Sequence, residues 1–205
     1  MNAVTEVRID GRVERGEQTR RLILRRAADI ASVEGLEGLS IGRLATELNV
    51  SKSGVFAHFG SKEELQLATV RAAAKIFVDL VVTPAFAEPD GLTRLHLLLE
   101  GWLDYSERRI FPGGCFFYAV QAEFDARPGR VRDAVAGYGD DWTALIERTI
   151  SAADLDVDPP QLAFELIAFL EAANVLSVLH DNPAAYDRAR VAVRSRLAAI
   201  RQPRP

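Results

Sequence analysis

One cysteine and three histidines are all that 205 residues offer for thiol or metal chemistry. A lone thiol excludes an intramolecular disulfide framework. Neither His96 nor His180 has a second His or Cys at helical spacing. The nearest approach is His96 with Glu100, which reads as a surface contact, so no metal and no cofactor are expected. The acids of DLDVDPP, 154–160, resemble a calcium loop only at first sight, because Pro159 falls where that loop requires glycine. Gly-rich phosphate loops are absent, and so few histidines suggest no Ser/His/Asp arrangement, so the chain is not expected to be an enzyme. It shows no strand alternation, repeat or low-complexity tract. No apolar run of membrane-spanning length is expected, and the N-terminus MNAVTEVRIDGRVERG is charged throughout. These features predict a soluble, cytoplasmic protein without a membrane partner.

What is present is helical periodicity. Hydrophobic residues are 48% of the chain, enough for a sizeable core. Residues 1–16 contain two glycines and no period, and read as a flexible arm. A first helix is expected over about 17–33, with Leu22, Ile23, Ala27, Ile30 and Ala31 on its apolar face and Gly35 as its stop. Two short helices follow between 40 and 59. A fourth runs from Lys62 to Val82 and ends before Pro84. After a loop at 85–91, helices are expected over 92–109, 115–126, 129–153, 162–179 and 184–200.

The most informative segment is 40–65, SIGRLATELNVSKSGVFAHFGSKEEL. Ser40 is an expected N-cap, and Ile41, Leu44, Ala45 and Leu48 share a face. Asn49 suits a left-handed turn, and Ser51 caps the next helix. Val55, Phe56 and Phe59 form that helix's apolar side, leaving Lys52, Ser53, Gly54 and Ala57 to face outward. A short helix exposing small and basic residues fits a DNA major groove. Ser61-x-x-Glu64 is a capping box that starts the following helix.

The spacing of Ser40, Leu44-Ala45, Val50-Ser51, Phe56, His58-Phe59 and Ser61-Lys62-Glu63-x-Leu65 resembles the N-terminal domain of the TetR/AcrR transcriptional regulators, over roughly residues 17–65. Phe56 stands where that family usually carries Tyr, keeping the ring and lacking the hydroxyl that commonly meets a phosphate. The expected DNA-contacting set is Ser40, Arg43, Thr46, Ser51, Lys52, Ser53, Gly54, Phe56, His58 and Lys62. His58 and Lys62 enter it through the resemblance, as positions where the family contacts phosphate. The whole chain carries −4, but 1–62 hold ten Lys and Arg against eight Asp and Glu, whereas 63–205 hold fifteen against twenty-one. That asymmetry has the sign expected of a DNA-reading N-terminus on an acidic body.

The resemblance implies an all-α fold of about nine helices: an N-terminal three-helix helix-turn-helix DNA-binding domain, 17–65, and a C-terminal helical ligand-binding and dimerisation domain, 66–205. Candidates for a cavity are Trp102, Tyr105, Phe116, Phe117, Tyr118, Phe124, Tyr138, Trp142, Phe164 and Phe169, with Gln121, Glu123, Asn174 or His180 as polar groups. Core packing is the competing role for each. Cys115, in the apolar setting GGCFFYAV, reads as an inert packing thiol. Residues 162–179 are apolar nearly all round and so need burial all round, which a second copy would supply. The family likewise pairs its last two helices with those of a twin as a four-helix bundle. Phe164, Ile167, Leu170, Glu171, Leu179, Val193 and Leu197 are the expected dimer residues. The expected function is a repressor that binds a palindromic operator in double-stranded DNA as a homodimer and is released by a small, largely apolar effector. Two alternatives stand: a DNA-binding regulator without a small-molecule ligand, and an all-α ligand carrier or enzyme.

Overall fold

Residues 11–89 and 91–200 are described by the structure, a computed structural model; among them nine helices and no strand occur. Helix α1 spans Gly11–Glu34. The expected arm, 1–16, is therefore corrected in part: 11–16 are helical, and 1–10 lie outside the described residues. The glycine penalty, about 1 kcal/mol at each, does not halt a helix already nucleated on its C-terminal side. Ile23, Ala27, Ile30 and Ala31 form the buried stripe, at spacings i, i+4, i+7 and i+8. Leu22, expected among them, lies one position out of register and is 58% exposed.

Helices α2 (Ile41–Glu47) and α3 (Lys52–Phe59) are joined by a turn in which Asn49 takes φ 53°. The hydroxyls of Ser40, Ser51 and Ser61 accept the backbone N–H groups of Arg43, Gly54 and Glu64 at 3.1, 3.0 and 3.1 Å, so each serine starts its helix by satisfying an orphan donor. Helix α4 spans Lys62–Phe77 and continues through a π-helical segment, Val78–Val82, and a last turn, Thr83–Ala85. It thus runs past Pro84 instead of ending before it. Pro84 has no N–H, and its ring would meet the carbonyl four residues back. The wider turn, with Thr83 N–H donating to Val78 O, accommodates it.

The remaining helices are α5 (Leu92–Glu107), α6 (Phe116–Phe124), α7 (Arg130–Ala152), α8 (Pro159–Leu179) and α9 (Ala184–Ala198). Leu95, Leu98, Leu99 and Leu103 of α5 are wholly buried. Arg190 of α9 is surrounded by acids of α5, bonding Glu100, Asp104 and Glu107 at 3.0, 2.7 and 2.7 Å. Helix α8 corrects one expectation, being long and apolar enough to cross a membrane by length and composition. Two glutamates six residues apart interrupt the run without lowering its mean hydropathy below 1.9. Glu165 and Asn174 are engaged within the bundle: Glu165 pairs with Arg196, and Asn174 Oδ1 accepts from Ser106 Oγ at 2.9 Å and Cys115 N at 3.0 Å.

Helix α1 packs on α4 and α6, so the N-terminal unit sits directly on the C-terminal body. They approach closely at Gly113, between α5 and α6, where a Cβ would fall 1.7 Å from the Ser32 carbonyl oxygen. Gly113→Ala is expected to cost about 3 kcal/mol or more, because backbone meets backbone and neither side can yield. Gly137, in open space within α7, is the control: Gly137→Ala should stabilise by up to about 1 kcal/mol. Urea midpoints of both variants decide, and an unshifted Gly113→Ala midpoint would refute the close packing.

Candidate nucleic-acid interface and interior cavity

Helix α3 is held from behind. Arg20 of α1 donates to the His58 carbonyl at 2.8 Å, and its guanidinium lies 4.6 Å from the Phe59 ring centre. Val55 and Phe59 are buried beneath, and Lys52 and Ser53 at the start of the helix are exposed. Lys52 makes no hydrogen bond or ion pair among the described residues. Ser51 and Ser53 hydroxyls lie 3.3 Å apart. A Cβ at Gly54 would come within 2.9 Å of Ser51 Oγ, so glycine there serves the cap as well as the outward face. Phe56, assigned by sequence to the apolar side, is 54% exposed, beside the outward-facing residues.

The other expected contacts are placed differently. Arg43 is clamped by Glu34 (2.5 Å) and Glu47 (2.8 Å), and Glu47 also takes Arg26 at 2.5 Å. The hydrogen bond from Arg43 holds the carboxyls of Glu34 and Glu47 below their ordinary range. Thr46 Oγ1 donates back to Gly42 O at 3.1 Å and stays exposed. Lys62 Nζ bonds the Glu37 carbonyl at 2.8 Å and its carboxylate at 2.9 Å. Arg43 and Lys62 therefore fasten α2 and α4 to the end of α1, and a phosphate would have to compete with those acids for them. Exposed pairs of this kind contribute little, so the exchange is cheap.

Sequence reasoning missed what joins this unit to the body. Glu123 of α6 accepts Leu36 N and Glu37 N at 2.7 and 2.8 Å. Gly35, at φ 78°, lets the carboxylate in, since a Cβ there would lie 2.6 Å from its oxygen. Arg130, at the start of α7, bonds Glu63 and Glu64 in the first turn of α4, both at 2.8 Å. The signal for Glu123 was a carboxylate in an otherwise apolar helix, which no local pattern explains.

A cavity of about 540 Å³ lies between α4, α5, α6, α7 and α8. Of the expected ligand residues, Trp102, Phe117, Tyr118, Gln121, Tyr138 and Trp142 line it; Phe77 and Phe86, not in that set, do so too. Tyr105, Phe116, Phe124, Phe164, Phe169, Glu123, Asn174 and His180 do not line it. Tyr105 and Phe124 are core residues, Phe169 packs against the core, and Asn174 is consumed by Ser106 and the start of α6. Ile167, Leu170 and Glu171, expected at a dimer face, point into the cavity instead. Val193 is wholly buried within its own chain, and Leu197 packs against that core. Phe164 and Leu179 remain, 70% and 73% exposed, on a stripe of α8 continued by Ala168, Ala172 and Leu176, with Val191 of α9 also exposed.

The geometry is that of a helix-turn-helix DNA-reading unit set on a helical body with an interior cavity. Residues 23–69 match the family described as bacterial regulatory proteins, tetR family, and residues 91–193 match the tetracyclin repressor-like C-terminal domain. The chain belongs to the TetR family of DNA-binding transcriptional regulators, whose fold and family are those of regulators rather than enzymes. A TetR transcriptional regulator from Chloroflexus aurantiacus is 24% identical and superposes with a TM-score of 0.83, over 93% of this chain and 100% of that one. A transcriptional regulator from Saccharomonospora viridis, solved with choline, is 22% identical (TM-score 0.73; 91% and 100%). AibR, solved with isovaleryl coenzyme A and operator DNA, is 21% identical (TM-score 0.62; 75% and 84%). Comparison with curated protein sequences finds no match.

Cys115 borders the cavity, and burial pushes its thiol up to about 11. The thiol therefore stays protonated at all pH values well below 11. Iodoacetamide at pH 8 should label native Cys115 about a hundredfold more slowly than the unfolded chain. Mass spectrometry with and without guanidinium measures the ratio, and fast native labelling would show an accessible thiolate.

Proposed function

We propose that this protein is a homodimeric repressor that reads a palindromic operator with α3 and is released when a small molecule occupies the cavity. The observation that carries the reading is that α4 and α6 belong to both sites at once. Helix α4 begins at the N-terminal unit, where Leu65 is buried and Gln66 Nε2 bonds the Leu36 carbonyl at 3.0 Å; its far end brings Phe77, Val78 and Val82 to the cavity. Helix α6 offers Phe117 and Gln121 to the cavity and, two residues further on, Glu123 to the backbone at Leu36 and Glu37. A molecule that repositions either helix repositions α3. It can shift DNA affinity only by its difference in affinity for the two states, about 1–3 kcal/mol in coupled systems. The relatives solved with choline and with isovaleryl coenzyme A support a cavity of this kind as a small-molecule site. Such a regulator works in the cytoplasm, where its operator lies.

The dimer face in this reading is the exposed stripe of α8 with α9. Ala168 and Ala172 at its centre let two helices approach closely, while Phe164 and Leu179 at its ends supply apolar area. Twofold pairing would set two α3 helices about 34–36 Å, or a multiple of that, apart along DNA.

Selection of bound duplexes from a random pool, titrated with salt, should enrich a palindrome whose affinity falls steeply as salt rises. A folded protein that enriches nothing would overturn the reading. Lys52→Ala should weaken operator binding by about 1–3 kcal/mol with the dimer and thermal stability unchanged. Undiminished affinity would remove Lys52 from the interface. Phe164→Glu should give a folded monomer in sedimentation velocity, whereas Leu170→Glu, at a site only 1% exposed, should unfold the chain. A dimer of Phe164→Glu would place the interface elsewhere.

A further inference from the structure

Seven of the chain's sixteen aromatic residues line the cavity, including both tryptophans. Phe117 and Tyr138 stand as a tilted pair with ring centres 5.5 Å apart, and Trp142 meets Phe77 edge-on at 5.2 Å. Glu171 projects among these rings from α8. It is half-buried and has no hydrogen bond or ion pair among the described residues. The neighbouring glutamate on the same helix, Glu165, is by contrast paired with Arg196. Loss of water raises the carboxyl of Glu171 above its ordinary range, and burial, with the charge of Glu171 second, raises the nearby Tyr118 hydroxyl. A half-buried carboxylate without a partner carries a desolvation cost that a cationic guest would offset. Arg148, the cation among the lining residues, is exposed, and it forms no ion pair with Glu171. Asp141, also exposed on the lining, adds a second negative charge.

We infer that the cavity takes an organic cation, a substituted ammonium whose charge is met by Glu171 and whose alkyl groups lie against the faces of Trp102, Trp142 and Tyr138. The chemistry of the walls favours this class. Aromatic faces attract a cation through their quadrupole, with tryptophan the strongest, and the attraction grows as water is excluded. An uncharged apolar guest would gain the rings but leave the carboxylate desolvated and unpaired. An anion would add a like charge beside it. The inference rests on the reading of the cavity as an effector site, and it replaces the largely apolar effector expected from sequence with a charged one.

Because both tryptophans line the cavity, intrinsic fluorescence reports binding there directly. The test titrates benzyltrimethylammonium, and neopentylbenzene as its isostere with carbon in place of nitrogen, into the full-length wild-type protein and into Glu171→Gln. The expected result is that wild type prefers the cation by about tenfold or more. Glu171→Gln should lose that preference while keeping its circular dichroism spectrum and its affinity for the neutral isostere. A wild-type protein that binds the isostere as tightly as the cation would overturn the cation assignment and leave the effector cavity standing. Cation affinity unchanged in folded Glu171→Gln would also overturn it. Neither compound altering the fluorescence would overturn both the cation assignment and the effector reading beneath it.

Discussion

The turn between α5 and α6, residues 108–115, is where the DNA-reading unit and the helical body become one structure. On one side it lies against α1: Ser32 Oγ accepts Gly113 N at 3.1 Å, and Arg25 donates to the Ile110 carbonyl at 2.6 Å with its guanidinium 5.0 Å from the centre of the Phe111 ring. On the other it lies against α8: Asn174 Oδ1 accepts Cys115 N, and Arg109, at φ 52°, donates to Ser177 Oγ at 2.9 Å. Several of these groups are buried, where an unmade bond would cost the full desolvation of its donor. The turn therefore cannot part from either side cheaply. It fixes the start of α6 relative to both α1 and α8.

From that fixed start, α6 runs along the cavity wall and ends in the Glu123 clasp on Leu36 and Glu37. A nine-residue helix is short enough to move as a rigid rod. Its two polar ends make different demands. Cys115 N is bonded to the bundle, while Glu123 is bonded to the backbone just before α2. In the proposed reading, a guest pressing on Phe117 or Gln121 would work against the first and be felt at the second. Helix α4 would offer that reading a parallel route with a weaker point: Val78 and Val82 of the π-helical segment line the cavity, and a wide turn yields more readily than a regular α-helix.

The parts legible in sequence were those with local causes. Three serine caps and the Asn49 turn specify α2, α3 and the start of α4 within a few residues each, and periodicity locates the longer helices. The parts that were not legible had no local cause. Pro84 read as a stop because the remedy, a single wide turn, leaves no sequence mark. Helix α8 is apolar on every side, so nothing in its sequence sets its rotation. Phe164, Ile167 and Leu170 looked equivalent, yet Phe164 faces outward, Ile167 faces the cavity and Leu170 fills the core edge of that wall. The same lack of phase hid the different environments of Glu165 and Glu171. Aromatics show the parallel problem: composition marks them for burial but cannot separate a cavity wall, as for Trp142, from solid core, as for Tyr105.

Charge shows the same limit in another form. The small positive balance of residues 1–62 has the right sign for DNA, but much of it is internally spent. Arg26 and Arg43 face Glu34 and Glu47, Lys62 faces Glu37, and Arg20 and Arg25 hold backbone carbonyls. The cation at the start of α3 is Lys52, without a partner among the described residues and set beside exposed Ser53 and the cap at Ser51. In the proposed reading, recognition would therefore draw first on where one lysine and a few small residues are held, with Arg43 and Lys62 available only by exchange with their acids. On that reading, the Arg20 clamp and the Glu123 clasp, which hold α3 and the backbone before α2, would matter more to the interface than the net charge around it.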